Sequence, residues 1–209
     1  DISFDCSDVG DNSFDVFVVD VNGNESSCTA TVTVEDNVAP VAVCQDITVQ
    51  LDASGTATIT ASDVDGGSND ACGITLAIDN DSFGCANVGP NTVTLTVTDS
   101  NNNTAQCTAN VTVEDNVAPV AVCQDITVQL DASGAATITA SDVDGGSNDA
   151  CGVTLAIDND SFGCANVGPN PVTLTVTDSN NNTAQCTAIV TIEDNVAPVA
   201  VCQDITVQL

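Results

Sequence analysis

The sequence contains no lysine, arginine or histidine. It also lacks methionine, tryptophan and tyrosine, so its aromatic content is 5 phenylalanines. Against these absences stand 30 carboxylates in 209 residues, a formal charge of -30. With no basic patch to hold phosphates, nucleic acid and anionic membranes are excluded as partners. No ion pair between side chains can form. Whatever neutralises the acids comes from outside, and hard divalent cations, Ca2+ first, suit clustered oxygen ligands. Catalysis is equally short of means. The common general acids and bases His, Lys and Tyr are missing, and no Ser or Cys has a His or Lys to activate it. A glycosidase could run on two carboxylates alone, but nothing here supplies a sugar-stacking cleft. The expectation is a protein that is not an enzyme. No run of about 20 apolar residues is present either, so no membrane insertion is expected in this segment.

What is present is repetition. The phrase "EDNVAPVAVCQDITVQL" begins at Glu35, Glu114 and Glu193, a period of 79 residues. Residues 37–115 and 116–194 differ only at Thr56/Ala135, Ile74/Val153, Thr92/Pro171, Asn110/Ile189 and Val113/Ile192. Residues 1–36 match the C-terminal half of the unit more loosely, and residues 195–209 restart it. The expected organisation is two complete repeats, 37–115 and 116–194, flanked by the partial repeats 1–36 and 195–209, as in an excerpt of a longer array.

Each unit reads as all-β. In "TVTLTVT", Val93, Leu95 and Val97 fall on one face and threonines on the other. "CTANVTV" places Cys107, Val111 and Val113 together, and Ile47–Leu51, Ala57–Thr60 and Ile74–Ile78 keep the same period of two. Asp-, Asn- and Gly-rich stretches at Asp63–Gly73 and Asp99–Asn103 separate the runs. About seven short strands per unit suggest tandem Ig-like β-sandwiches forming an extended array. A domain of this size buries only about 60% of its unfolded surface, so covalent staples are expected.

The segments "EDNVAPVAVCQDITV", "NDACG" and "VTLTVTDSNNNTAQCTANVTV" resemble the hyalin repeat (HYR) family. The family's turn glycine is replaced by Asn102 and Asn181 and kept at Gly23; Asn tolerates the left-handed conformation such a turn needs. The near-identical, lysine-free units are also similar to the giant gliding-motility surface adhesins of Bacteroidota. The resemblance implies an extracellular filament at the cell surface, serving adhesion or gliding.

The cysteines recur with the repeat, and their number points to an oxidising compartment. In an Ig-like order the first strand runs parallel to the last, and Cys44 and Cys107 would open those strands at one end. The favoured pairing is therefore Cys44–Cys107 with Cys72–Cys85, and correspondingly Cys123–Cys186 with Cys151–Cys164. Two-cysteine members of the family that this chain resembles keep the first of these pairs. The alternative is Cys44–Cys72 with Cys85–Cys107, under which Cys6–Cys28 would also close.

The phrase "VEDNVAP" lies between a last strand and a first strand, so it is the joint between repeats. Pro40, Pro119 and Pro198 stiffen it. In an Ig-like unit the loops Asp63–Gly73 and Asp99–Asn103 face the incoming joint. Glu35, Asp36, Asp63, Asp65, Asp70, Asp99 and Asn101 are the expected Ca2+ ligands there. The equivalent set is Glu114, Asp115, Asp142, Asp144, Asp149, Asp178 and Asn180. The competing expectation is that these residues only cap turns. The reading is a rigid stalk segment whose partners are neighbouring repeats of its own chain. Lateral self-association through edge strands and Ca2+-bridged recognition of polysaccharide or protein by the acidic loops are the further possibilities.

Overall fold

The computed structural model describes residues 2–208. Contacts divide the chain into two compact units, residues 1–50 with 56–114, and residues 115–209 with 51–55. Both are built from strands, and the few helical turns are three residues long.

In the first unit the partial repeat forms a hairpin of β1 (Gly10–Val19) and β2 (Glu25–Val34). The complete repeat supplies β3 (Ile47–Gln50), β4 (Thr56–Thr58), β5 (Ile74–Ile78), β6 (Ser82–Gly84), β7 (Gly89–Asp99) and β8 (Thr104–Glu114). Strands β3, β8, β7 and β5 make one sheet in that order, and β4 pairs with β6 in a second. The first strand is parallel to the last, Ile47 facing Val111 and Gln50 facing Glu114. The expected seven strands are six: residues 41–44 contribute only the single bridges Val41–Asn69 and Cys44–Asp65. Pro40, which has no N–H to donate, directly precedes this stretch.

The second unit repeats the plan with β9 (Ile126–Gln129), β10 (Ala135–Thr137), β11 (Val153–Ile157), β12 (Ser161–Gly163), β13 (Gly168–Asp178) and β14 (Thr183–Glu193). Residues 195–208 form no strand.

The core follows the two-residue alternation. Val93, Leu95 and Val97 of β7 and Val111 of β8 are fully buried, and Phe83 of β6, in the second sheet, is buried too. In the second unit Val172, Leu174, Val176, Val190 and Ile192 form one cluster with Phe162 and Ala136. Two sheets stacked on one apolar layer define a β-sandwich. In the partial repeat, by contrast, Val16 and Val18, counterparts of Leu95 and Val97, are exposed.

The hairpin turns explain the asparagines. Asn102 and Asn181 adopt φ of 70° and 71°, while Gly23 takes 86° at the same place in the partial repeat. Asn is the side chain that bears this left-handed geometry most readily.

Disulfides join Cys44 to Cys107, Cys123 to Cys186 and Cys6 to Cys72, and Cys85 and Cys151 are disulfide-bonded as well. Parallel pairing of β3 with β8 brings Cys44 and Cys107 to one end, with Cα atoms 5.8 Å apart. The expected Cys72–Cys85 bond is not formed, because Cys72 is bonded to Cys6. Nor is Cys151–Cys164, because Cys164 is a free, exposed thiol. Cys72 precedes β5 and Cys85 follows β6, and these strands belong to different sheets. Stacked sheets lie about 10 Å apart, beyond the Cα separation of about 4.4–6.8 Å that a disulfide spans. Cys28 and Cys202 are also free and exposed, so a Cys6–Cys28 pair is absent too.

Candidate functional site

The joint between the partial and the complete repeat begins where β2 ends. The Asp36 side chain accepts a hydrogen bond from the Val38 N–H at 3.0 Å, an Asx turn that bends the chain toward Pro40. Pro40 is buried, and Val41 then pairs with Asn69 through two backbone bonds of 2.8 and 3.0 Å. The Asp36 carbonyl accepts from the Asn103 side-chain amide at 2.9 Å. That same amide donates to Asp99 Oδ2 at 2.8 Å. Asn103 thereby ties the joint to the β7–β8 turn. The second unit reproduces the arrangement: Asn182 donates to the Asp115 carbonyl at 2.9 Å and to Asp178 Oδ2 at 2.8 Å. Pro119 is buried like Pro40, whereas Pro198 is exposed.

Most of the expected ligands are already occupied as caps. Asp99 Oδ1 accepts the N–H groups of Asn101 and Asn103, each at 2.8 Å. Burial pushes the Asp99 pKa up, but the side-chain amide of Asn103 and the surrounding N–H groups outweigh it and hold the carboxyl below its ordinary value. Asp178 Oδ1 likewise accepts the N–H groups of Asn180 and Asn182, each at 2.8 Å. Asn101 and Asn180 thus serve the turn through their backbone N–H groups. Asp63 Oδ2 caps a short 3-10 turn through the N–H and hydroxyl of Thr60, which lower its pKa, and Asp142 does the same with Thr139. Ser68 holds Asp65, and Ser147 holds Asp144, with the same effect on each carboxyl. Glu35 is exposed and accepts from Asn37, and Glu114 is exposed and accepts from Gln50.

Two pairs of carboxylates remain. Asp36 and Asp70 lie together with Cys72, and Asp115 and Asp149 with Cys151, potential ligand atoms within 4.8 Å of one another. The cysteine sulfurs are not thiolates, since both cysteines are disulfide-bonded, so only the carboxylates can hold a hard cation. Asp70 and Asp149 each spend one oxygen on the N–H of the following cysteine, at 2.7 Å. Asp115 is 7% exposed, and its Oδ2 is buried without a hydrogen-bond partner. A buried carboxylate oxygen with no donor is costly. In a chain without cationic side chains, an external cation is the charged species that relieves it. Asp115 and Asp149 fit a hard metal ion by donor type, with the remaining coordination left to water.

Asn103 and Asn182 were not among the expected residues. Within "NNN" only the middle residue needs φ above zero, which left its neighbour free for another task. Cys6 was likewise not expected to reach Cys72.

No family model matches this sequence, and no curated protein matches it. Solved structures with a similar backbone include extracellular cadherin domains 1–4 of protocadherin gamma B7. That match has a TM-score of 0.38 and 11% identity, over 91% of this chain and 59% of that one. Domains 1–3 of mouse clustered PcdhgC3 match at 0.37 and 12% identity, over 88% and 77% of the two chains. Domains 1–2 of human protocadherin-24 match at 0.40 and 13%, over 76% and 100%. Likeness at this level assigns neither a ligand nor a role to this chain. No helix among the described residues is long and apolar enough to cross a membrane.

Proposed function

We propose that this chain is a stalk segment of a repetitive extracellular adhesin filament, as its resemblance to hyalin repeats and to gliding-motility adhesins implies. Each β-sandwich is a bead held by its own disulfide, and the joint is set by Asn103 and its counterpart Asn182. The observation that carries the reading is the identity of the two joints. The amide-to-carbonyl bond is 2.9 Å in both, and the residues that make it are the same. A part that must hold one geometry at every repeat is conserved in place, whereas loops that read different ligands would differ between copies. Asp63–Gly73 and Asp142–Gly152 are identical.

Ca2+ at the Asp115–Asp149 pair, and at Asp36–Asp70, completes the joint in this reading. Two carboxylates and water make a weak site, in the range of extracellular modules, Kd on the order of 10⁻⁴–10⁻³ M. The remaining carboxylates keep neighbouring filaments apart.

Single-molecule pulling of the 209-residue chain tests the role. The stalk reading predicts unfolding steps shortened by the disulfides, Cys6–Cys72 included, at forces that fall when Ca2+ is chelated. Negligible resistance to force, with saturable Ca2+-dependent binding to a surface polysaccharide, would instead make the chain a binding module.

A further inference from the structure

The Cys6–Cys72 bond joins two different repeats. Cys6 lies in the partial repeat and Cys72 in the complete repeat that follows, both inside one compact unit. Their Cα atoms are 5.3 Å apart, within the range of an ordinary disulfide.

Both halves of this bond are presented by elements that recur. Cys6 opens the 3-10 turn Cys6–Asp8 that leads into β1. Cys85 and Cys164 open the turns Cys85–Asn87 and Cys164–Asn166 that lead into β7 and β13. All three turns are closed in the same way. The third residue's side chain accepts from the N–H of the residue before the cysteine: Asp8 from Asp5 at 2.8 Å, Asn87 from Gly84 and Asn166 from Gly163 at 2.9 Å. On the receiving side, Cys72 and Cys151 each follow a turn in which an aspartate takes the cysteine's N–H at 2.7 Å. Cys164 carries the outgoing geometry, and its thiol is exposed and in no disulfide, donating only to the Gly134 carbonyl at 3.7 Å.

We infer that Cys6–Cys72 is one instance of a repeat-to-repeat disulfide and that Cys164 is the outgoing half of another. The partner of Cys164 is the cysteine at the Cys72 position of a further copy of this repeat. The inference rests on the filament reading, because it requires such a copy next in line. In forming the bond, two thiols give up two protons and two electrons to a low-molecular-weight disulfide, which is reduced to two thiols. The link takes tension across the joint past residues 35–40. Force enters a repeat at the Cys72 position and leaves at the Cys85 position, 13 residues later in a period of 79. The rest of the bead lies outside the load path, and reduction returns it to that path.

The test extends the 209-residue chain by a copy of residues 131–194, which completes the repeat begun at 195. The chain is folded in a glutathione redox buffer, and free thiols are alkylated under denaturing conditions. Peptides are then mapped after cleavage at Asp and Glu, since trypsin has no site. The expected result is that Cys164, fully alkylated in the 209-residue chain, becomes protected and bonded to the appended cysteine at the Cys72 position. Cys202 becomes protected as well, through the appended counterpart of Cys107, and so reports folding of the added repeat. Protected Cys202 with alkylated Cys164 overturns the inference and leaves the filament reading standing. Alkylation of both overturns the two together, since a repeat that does not fold beside its neighbour is no bead of an array. In the unextended chain, Cys6→Ser must expose Cys72 to alkylation while Cys44–Cys107 stays intact. Pairing of Cys72 with another cysteine in that variant also counts against the inference.

Discussion

The side-chain amide of Asn103 reaches the backbone carbonyl of Asp36 across 67 positions of sequence, at 2.9 Å. Asn103 also holds the Asp99 carboxylate, so one residue fixes both the turn and the joint. Replacing it with Ala removes the donor to two acceptors that are partly withdrawn from water, at a cost of about 1–3 kcal/mol. Asn103→Ala is expected to lower the urea midpoint and to speed amide exchange at Asn37 and Val38. An unchanged exchange rate there would mean that the joint is held by something other than Asn103.

Asp115→Asn has an effect whose sign depends on the cation. Without Ca2+ the substitution removes a buried charge beside Asp149 whose Oδ2 has no hydrogen-bond partner, so it should raise the melting temperature. With Ca2+ it removes a ligand, so the cation-dependent rise should disappear. A uniform loss of stability in both conditions would mean that Asp115 acts only through packing.

The Cys44–Cys107 bond closes a loop with a sequence separation of 63. In the loop-entropy picture such closure contributes about 4 kcal/mol. That is a large share of the roughly 5–15 kcal/mol that small domains possess. The double replacement by Ala should therefore leave the first unit close to unfolded at 37 °C while the second unit melts as before. Matching denaturation curves for both units would contradict the estimate.

Asp63, Asp65 and Asp99 all have folded-state pKa values below their ordinary ones. A depressed carboxyl pKa gives stability that is present above the unfolded value of about 3.9 and is lost as pH falls through the lower folded value. The difference in stability between the native chain and Asp99→Asn should therefore be constant near neutrality and shrink below about pH 4. A difference independent of pH down to acid unfolding would show that the Asp99 charge contributes nothing.

Much of the fold was legible because period-two alternation is a local signal. Val93, Leu95 and Val97 stood out from their threonine neighbours and are fully buried. The left-handed Asn102 was legible from the replaced glycine. The Asn103 contact was not, because a side chain that meets a backbone 67 residues away leaves no periodic trace. The acidic set could not be divided from sequence, because turn caps and cation ligands draw on the same residue type. Asp63, Asp65 and Asp99 cap turns, which leaves the Asp36–Asp70 and Asp115–Asp149 pairs. The cysteine pairing was misread at Cys72 because β5 and β6 are neighbours in sequence and lie in different sheets.

Thermal unfolding of the 209-residue chain in millimolar Ca2+ and in EGTA puts the cation-held joint to the question. At tenfold excess over Kd, one site adds about 1.4 kcal/mol, and for a domain this small each kcal/mol moves the midpoint by roughly 4–8 °C. The account predicts a rise of that order, abolished by Asp115→Asn and Asp36→Asn together. Superimposable melting curves for the native chain would contradict it, leaving Asn103, Asn182 and the disulfides to hold the joints alone.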